Sequence, residues 1–208
     1  MEEQAAALRA LAAQIGICPK CDLSKTRTHA VPGEGNPNAD IVLIGEGPGF
    51  YEDQRARPFV GPAGKFLDEL LASIGLKRSD VFICNVLKCR PPGNRDPLPG
   101  EMAACKPWLD EQLAAINPRV IVTLGRFSMG RYFPGQSISR IHGQTKKVDG
   151  VMVVPMYHPA AALHQGSLRR TIEADFKKLP AVLQETLKQE PEREEAPRKQ
   201  EAVQIQLL

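Results

Sequence analysis

The sequence predicts an α/β fold, a mostly parallel four-stranded sheet held between two layers of helices, on three observations. Short, wholly apolar runs recur along the chain and stop at glycine, asparagine or a polar loop. Each run is followed, after that loop, by a segment whose apolar residues repeat at helical spacing. The 208 residues, 42% of them hydrophobic, suffice for one such domain with a modest extension and a single sizeable core.

The elements read as follows. Residues 4–15 place Leu8, Leu11, Ala12 and Ile15 on one helical face. Residues 17–27 form a cysteine-bearing loop. Residues 40–45 are a buried strand, followed by a Gly- and Pro-rich loop, 46–61, and a helix over 63–74. A second strand covers 81–86 and leads through a long loop, 88–99, into a helix that passes Met102 and Trp108 and ends at Ile116. A third strand covers 120–125, with a helix from Ser128. Residues 148–156 are strand or hairpin material ending in Tyr157-His158-Pro159, and a last amphipathic helix spans 168–188. The domain is therefore placed at 1–188. Residues 189–208 are dominated by Glu, Lys, Arg, Gln and Pro and read as a disordered charged tail.

Composition excludes several classes. No apolar run reaches the roughly 18 residues of a membrane span. Met1-Glu2-Glu3-Gln4 lacks the basic start and apolar core of a secretory signal, so a cytoplasmic location is expected. The net charge of +3 decides little, but basic residues gather between Arg126 and Lys178 while acidic ones gather in the tail, a distribution that suits a phosphate backbone. The five cysteines are an odd number in a cytosolic-looking chain, which argues against a disulfide framework and for metal or catalytic use.

Function is expected at the carboxyl ends of the strands, where parallel sheets bind ligands. The loops after Ile44, Asn85 and Met156 are the richest in polar residues, glycine and proline. Cys18-x-x-Cys21 can present two thiolates to one metal centre, and Cys89 and Cys105 can supply two more. Four thiolates satisfy either a structural zinc or a [4Fe–4S] cluster; the lack of a second Cys-x-x-Cys favours the cluster. Cys84, inside an apolar strand, is assigned to the core. The loop Gly45-Glu46-Gly47-Pro48-Gly49 lets backbone approach a ligand closely and is also compatible with a nucleotide phosphate, although it is not G-x-G-x-x-G. Arg57-Pro58-Phe59-Val60-Gly61 adds an aromatic able to stack on a planar base.

These motifs, together with Asn85-Val86-Leu87-Lys88-Cys89-Arg90-Pro91-Pro92-Gly93-Asn94-Arg95 and Tyr157-His158-Pro159, resemble in residue type and order the family 4 (type-4) uracil-DNA glycosylases, which carry a [4Fe–4S] cluster. The resemblance covers about residues 10–180. It implies a three-layer α/β/α sandwich and excision of uracil from single- or double-stranded DNA in base excision repair, by a soluble monomer whose substrate is uracil-containing DNA. It also implies that Cys18, Cys21, Cys89 and Cys105 hold the cluster as a structural brace. Asn85 matches the uracil-reading asparagine, whose amide offers N–H to O4 and C=O to N3–H, a pattern that cytosine inverts. Phe59 matches the stacking aromatic. Glu46, Gly47 and Pro48 match the loop beside the uracil carbonyls and the attacking water. His158 matches the donor to O2, where charge develops as the glycosidic bond breaks.

At Gly47 better-known uracil glycosylases carry an aspartate, so Glu46, Glu52 and Asn94 are the candidates for handling water. The loop 90–99 has no histidine, unlike a related group that binds uracil covalently. The resemblance nominates Leu163 as the side chain that fills the space left by a flipped base; Arg169 and Arg170 read either as contacts to flanking phosphates or as a solvated helix start. His142 and His164 read as surface histidines. Finally, Gln204-Ile205-Gln206-Leu207-Leu208 resembles the Gln-Leu-x-Leu-Phe peptide with which bacterial repair and replication proteins dock on the sliding clamp, here on a charged tether.

Overall fold

Apolar runs without polar alternation have no face to offer water, so they fold as strands covered on both sides. In the computed structural model, which describes residues 2–188, the chain runs α1 (Glu2–Gly16), β1 (Glu34–Gly35), β2 (Ile41–Gly45), α2 (Phe50–Arg55), α3 (Pro62–Ser73), β3 (Phe82–Asn85), α4 (Pro99–Ile116), β4 (Val120–Leu124), α5 (Arg126–Gly130), α6 (Ile138–Ile141), β5 (Lys146–Val148), β6 (Val151–Met156), α7 (Pro159–His164), α8 (Leu168–Phe176) and α9 (Leu179–Lys188). The tail at 189–208 and its expected clamp-docking end lie outside the described residues. No helix among the described residues is long and apolar enough to cross a membrane.

The sheet order is β1-β3-β2-β4-β6-β5. Its four inner strands are parallel throughout, in line with the strand–helix alternation. The expected four strands are extended to six, because β1 and β5 add antiparallel pairs at the two edges. Neither has an apolar run that marks it: β1 is Glu34-Gly35 and β5 is Lys146-Lys147-Val148. Both pair with what would otherwise be open edges of the parallel core.

Alternation along the strands divides the core in two. Val42 and Ile44 of β2 face a cluster with Leu11, Ile15, Trp108 and Leu109 of α1 and α4. Ile41 and Leu43 face one built by Phe66, Leu67, Leu70 and Leu71 of α3 with Ile172 and Phe176 of α8. Cys84, 1% exposed, packs in the first cluster, as its place in an apolar strand suggests.

Three local expectations change. The loop 46–61 contains α2, whose flanking glycines and prolines hide two turns of helix; Glu52 stabilises its start by accepting from the Gly49 N–H at 3.2 Å. The segment after His158 is the short helix α7 rather than loop, with Pro159 at its first position. The single helix expected over 168–188 is two, α8 and α9. Pro180 explains the break, since it has no N–H to donate to the Phe176 carbonyl and its ring clashes there.

Leu43 is fully buried in the central strand β2. Leu43→Ala is expected to lower unfolding stability by about 2–5 kcal/mol, read as a lower urea midpoint with an unchanged denaturant slope.

Candidate active site

The site is built where β2 and β3 end side by side, with Gly45 paired to Asn85. The pairing continues past both strands, as the Val86 N–H donates to the Gly45 carbonyl (3.0 Å) and the Leu87 N–H to that of Glu46 (2.9 Å). The glycine loop therefore leaves the sheet alongside the Asn85 segment. A Cβ on Gly45 would lie 2.3 Å from Asn85 Oδ1 and 2.7 Å from Phe59 Cζ, so only glycine admits both side chains here. At the neighbouring strand end, Gly125 has a left-handed φ of 92°, and a Cβ there would lie 3.2 Å from His158 Cβ. The result is one open cavity of about 780 Å³ lined by Glu46, Gly47, Pro48, Phe59, Asn85 and His158. Every residue expected to contact the base is thus brought to one place.

Phe59 is fixed with unusual care. Its φ is +52°, a left-handed backbone that a non-glycine residue adopts only when its surroundings impose it. Arg78 imposes it by donating to the carbonyls of Pro58 (2.5 Å) and Phe59 (3.1 Å), and is itself gripped by Glu34 (2.7 Å) and Asp68 (3.0 Å). Gly64 lies against the same carbonyl, 1.8 Å from where its own Cβ would be. The Phe59 ring then stacks beside His158, centroids 5.4 Å apart and 23° from parallel. Arg78 and Glu34 carry no motif of their own, and the sequence reading missed both.

The three candidates for handling water separate cleanly. Glu52 accepts from three backbone amides, those of Val60 (2.8 Å), Gly61 (2.9 Å) and Gly49 (3.2 Å). It ties the glycine loop to the Phe59 loop and has its acceptors engaged. Asn94 accepts from Arg90 Nε at 2.7 Å. The Glu46 carboxylate makes no hydrogen bond among the described residues; burial, helped by Asp96 and opposed by Arg126, raises its pKa above the usual carboxylate value. His158 Nδ1 accepts from the Ala160 N–H at 3.1 Å, which assigns the proton of the neutral ring to Nε2. Burial pushes the ring's pKa down to about 4, so at neutral pH His158 is an uncharged N–H donor.

The four cysteines also meet. Cys18, Cys21, Cys89 and Cys105 line a second cavity with Arg27 and Trp108. Arg27 donates to Cys89 Sγ at 3.0 Å and Trp108 Nε1 to Cys18 Sγ at 3.3 Å. Burial pushes the Cys89 thiol up and that of Cys105 to about 11, so these sulfurs become thiolates when a cation supplies the opposing charge. No three His, Cys, Asp or Glu side chains among the described residues converge closely enough to share one metal ion. Lys88, 1% exposed and with its pKa lowered by burial, joins the two cavities: its Nζ donates to the Asn85 carbonyl (2.8 Å) and to Gln112 Oε1 (2.6 Å). The motif around Cys89 contains this lysine, but only the fold shows its role.

The residues nominated for DNA divide. Leu163 stands 52% exposed on α7, between the cavity-lining Ala161 and His164. Arg170 is exposed. Arg169 is held within the chain, paired to Glu69 (2.5 Å) and Glu173 (2.9 Å) and lying over Phe66. His164 lines the cavity, and His142 is bonded to the buried Asp175 at 2.6 Å. His164 is exposed, as expected of a surface histidine, whereas His142 is half-buried.

A three-layer sheet with a polar, aromatic-backed cavity at its carboxyl edge defines a base-binding α/β protein, and comparison with known proteins places it. Residues 32–184 match the family model described as the Uracil DNA glycosylase superfamily. The chain is 52% identical over 175 residues to a type-4 uracil-DNA glycosylase of Archaeoglobus fulgidus (80% of this chain, 88% of the relative). It is 50% identical over 174 residues to that of Sulfurisphaera tokodaii (78% of each) and 46% identical over 183 residues to that of Saccharolobus solfataricus (83% and 85%). The chain belongs to the uracil DNA glycosylase superfamily, in its type-4 family.

If Glu52 joins the two loops, Glu52→Ala should speed amide hydrogen exchange at Gly49, Val60 and Gly61 at least about tenfold while leaving the amides of β4 unchanged. Unaltered exchange at all three would remove that role.

Proposed function

We propose that this chain is a DNA-repair glycosylase that hydrolyses the N-glycosidic bond of deoxyuridine in single- or double-stranded DNA, releasing uracil and leaving an abasic site. One observation carries the reading: a base-reading amide, a stacking ring, an uncharged N–H donor and an unpaired carboxylate line the same cavity. The family match and the type-4 relatives support it.

A uridine flipped from the stack enters between Phe59 and the glycine loop. The Asn85 amide pairs with O4 and N3–H of uracil and meets mismatched partners on cytosine, which leaves buried polar groups unsatisfied. As the bond between C1′ and N1 breaks, the electron pair moves onto the base and negative charge collects at O2. His158 Nε2–H donates to that oxygen. Its neutrality is an advantage, since it stabilises the departing anion without having to lose a proton in the pocket. Glu46 orients the water that attacks C1′ and accepts its proton, a role for which a raised pKa and an unpaired carboxylate fit it. Leu163 fills the vacated place in the stack, and Arg170 is a phosphate contact.

We also assign Cys18, Cys21, Cys89 and Cys105 to a [4Fe–4S] cluster. Four thiols around one cavity with N–H donors aimed at two of them suit a cluster. Bound, the cluster would cross-link the N-terminal loop to the segment that carries Asn85 and Lys88. Docking of 204–208 on a sliding clamp, a monomeric state and a cytoplasmic location belong to the same reading and rest on the sequence alone.

Uracil release from a uracil-containing oligonucleotide is expected from the parent and reduced about 100-fold or more in Asn85→Ala and His158→Ala; full release by Asn85→Ala would end the site assignment. The rate should fall as pH drops through the raised Glu46 pKa, where the carboxylate is lost, and this acid limb should vanish in Glu46→Gln. A limb near pH 6–7 that disappears in His158→Ala would contradict a neutral His158. Anaerobically purified protein should contain about four irons and four acid-labile sulfides per chain; a single zinc would replace the cluster assignment.

A further inference from the structure

Among the described residues six large hydrophobic side chains stand well exposed, and four of them are sequence neighbours of residues that line the uracil cavity. Phe50 (51% exposed) and Tyr51 (49%) sit between the cavity-lining Gly49 and Glu52; Leu98 follows Pro97, and Leu163 precedes His164. Exposed apolar side chains gathered at a site mouth mark a surface that a partner covers. Leu163 already has an expected task, but the aromatic pair has none.

The pair is built to present flat faces. Phe50 and Tyr51 are held edge to face, centroids 5.6 Å apart and 80° between planes. Tyr51 packs on the backbone of Gly61, where a Cβ would lie 3.1 Å from its Cδ2. The Arg90 guanidinium lies 5.2 Å from the Phe50 centroid, and its Nε is held by the neutral Asn94 Oδ1 rather than by a carboxylate. Two rings fixed before binding lose little freedom on contact, and a cation beside them with no acidic partner among the described residues suits a phosphate.

We propose that Phe50 and Tyr51, with Arg90, form a stacking subsite for the base next to the flipped uridine on the same strand, Arg90 meeting the phosphate beside it. The inference rests on the glycosylase reading, which puts DNA at this mouth. A nucleobase is the occupant that fits, because its apolar face matches the rings, its backbone matches the cation, and the strand is continuous with the nucleotide in the cavity. Stacking on aromatic rings tolerates any base, so the subsite serves binding on unpaired strands, where a neighbouring base is free to leave its own stack.

The test compares KM and kcat on single-stranded uracil oligonucleotides that are intact or lack the base 5′ or 3′ to the uridine (a tetrahydrofuran in its place). Phe50→Ala/Tyr51→Ala should raise KM on the intact strand about 5- to 100-fold with kcat within about twofold. The parent should show a similar rise on one of the two base-lacking strands, and there the double variant should lose nothing more. Phe50→Trp, which keeps the face, should retain the parental KM, and an unchanged thermal midpoint for the double variant excludes a folding defect. An unaltered KM in the double variant on the intact strand overturns the subsite, as do losses that multiply on both base-lacking strands. Uracil release by the parent, measured in the same series, separates failure of the glycosylase reading from failure of the subsite.

Discussion

The structure turns on a space too small for a methyl group. Where β2 ends, the volume that a Cβ on Gly45 needs is occupied by Asn85 Oδ1 and by the Phe59 ring. The two come from different segments, one the end of the neighbouring parallel strand and the other a loop that folds back across the sheet edge. Their convergence follows from register, since Gly45 pairs with Asn85 and each residue later in one chain meets its counterpart in the other. A slip of one residue would turn Asn85 toward the opposite face. The fully apolar strands prevent that slip, because each is buried on both faces by its own helix layer.

Around this point charge is placed sparingly. Arg78, Glu34 and Asp68 hold the Phe59 loop, and Glu52 is given over to backbone amides, so these groups position the segments around the cavity. Much of the basic character in the second half of the chain is likewise paired internally, Arg126 with Asp96, Arg131 with Asp110, Arg169 with Glu69 and Lys178 with Asp175. The cavity itself keeps the uncharged His158 and, in Glu46, a carboxylate that makes no hydrogen bond among the described residues. Lys88 is a buried amine, its pKa lowered by desolvation, that spans from the Asn85 carbonyl to Gln112, whose own amide reaches the Pro32 carbonyl at 2.8 Å. It ties the strand that ends in Asn85 to the helix that also carries Cys105.

Much of this was legible in the sequence, for identifiable reasons. The inner strands announce themselves because double-sided burial demands uninterrupted apolar runs, and the site residues because their types follow those strands in a fixed order. The edge strands escaped because pairing there is made by backbone, so Glu34-Gly35 and Lys146-Lys147-Val148 need no apolar signature. Helix α2 escaped because the Gly-Pro-Gly that ends in its N-cap, Gly49, reads as loop. The roles of Glu52 and Arg78 could not be read, since each is defined by backbone groups brought to it from distant positions. The same is true of the tautomer of His158, which is set by the amide of Ala160.

The central claim is that Gly45 is what lets the Asn85 amide and the Phe59 ring share one end of the sheet. Single-turnover uracil release by Gly45→Ala, with its thermal midpoint and circular dichroism recorded beside the parent, tests this most directly. A loss of about 100-fold or more in rate in a folded protein is the predicted result. A folded Gly45→Ala variant that releases uracil at the parental rate would contradict it.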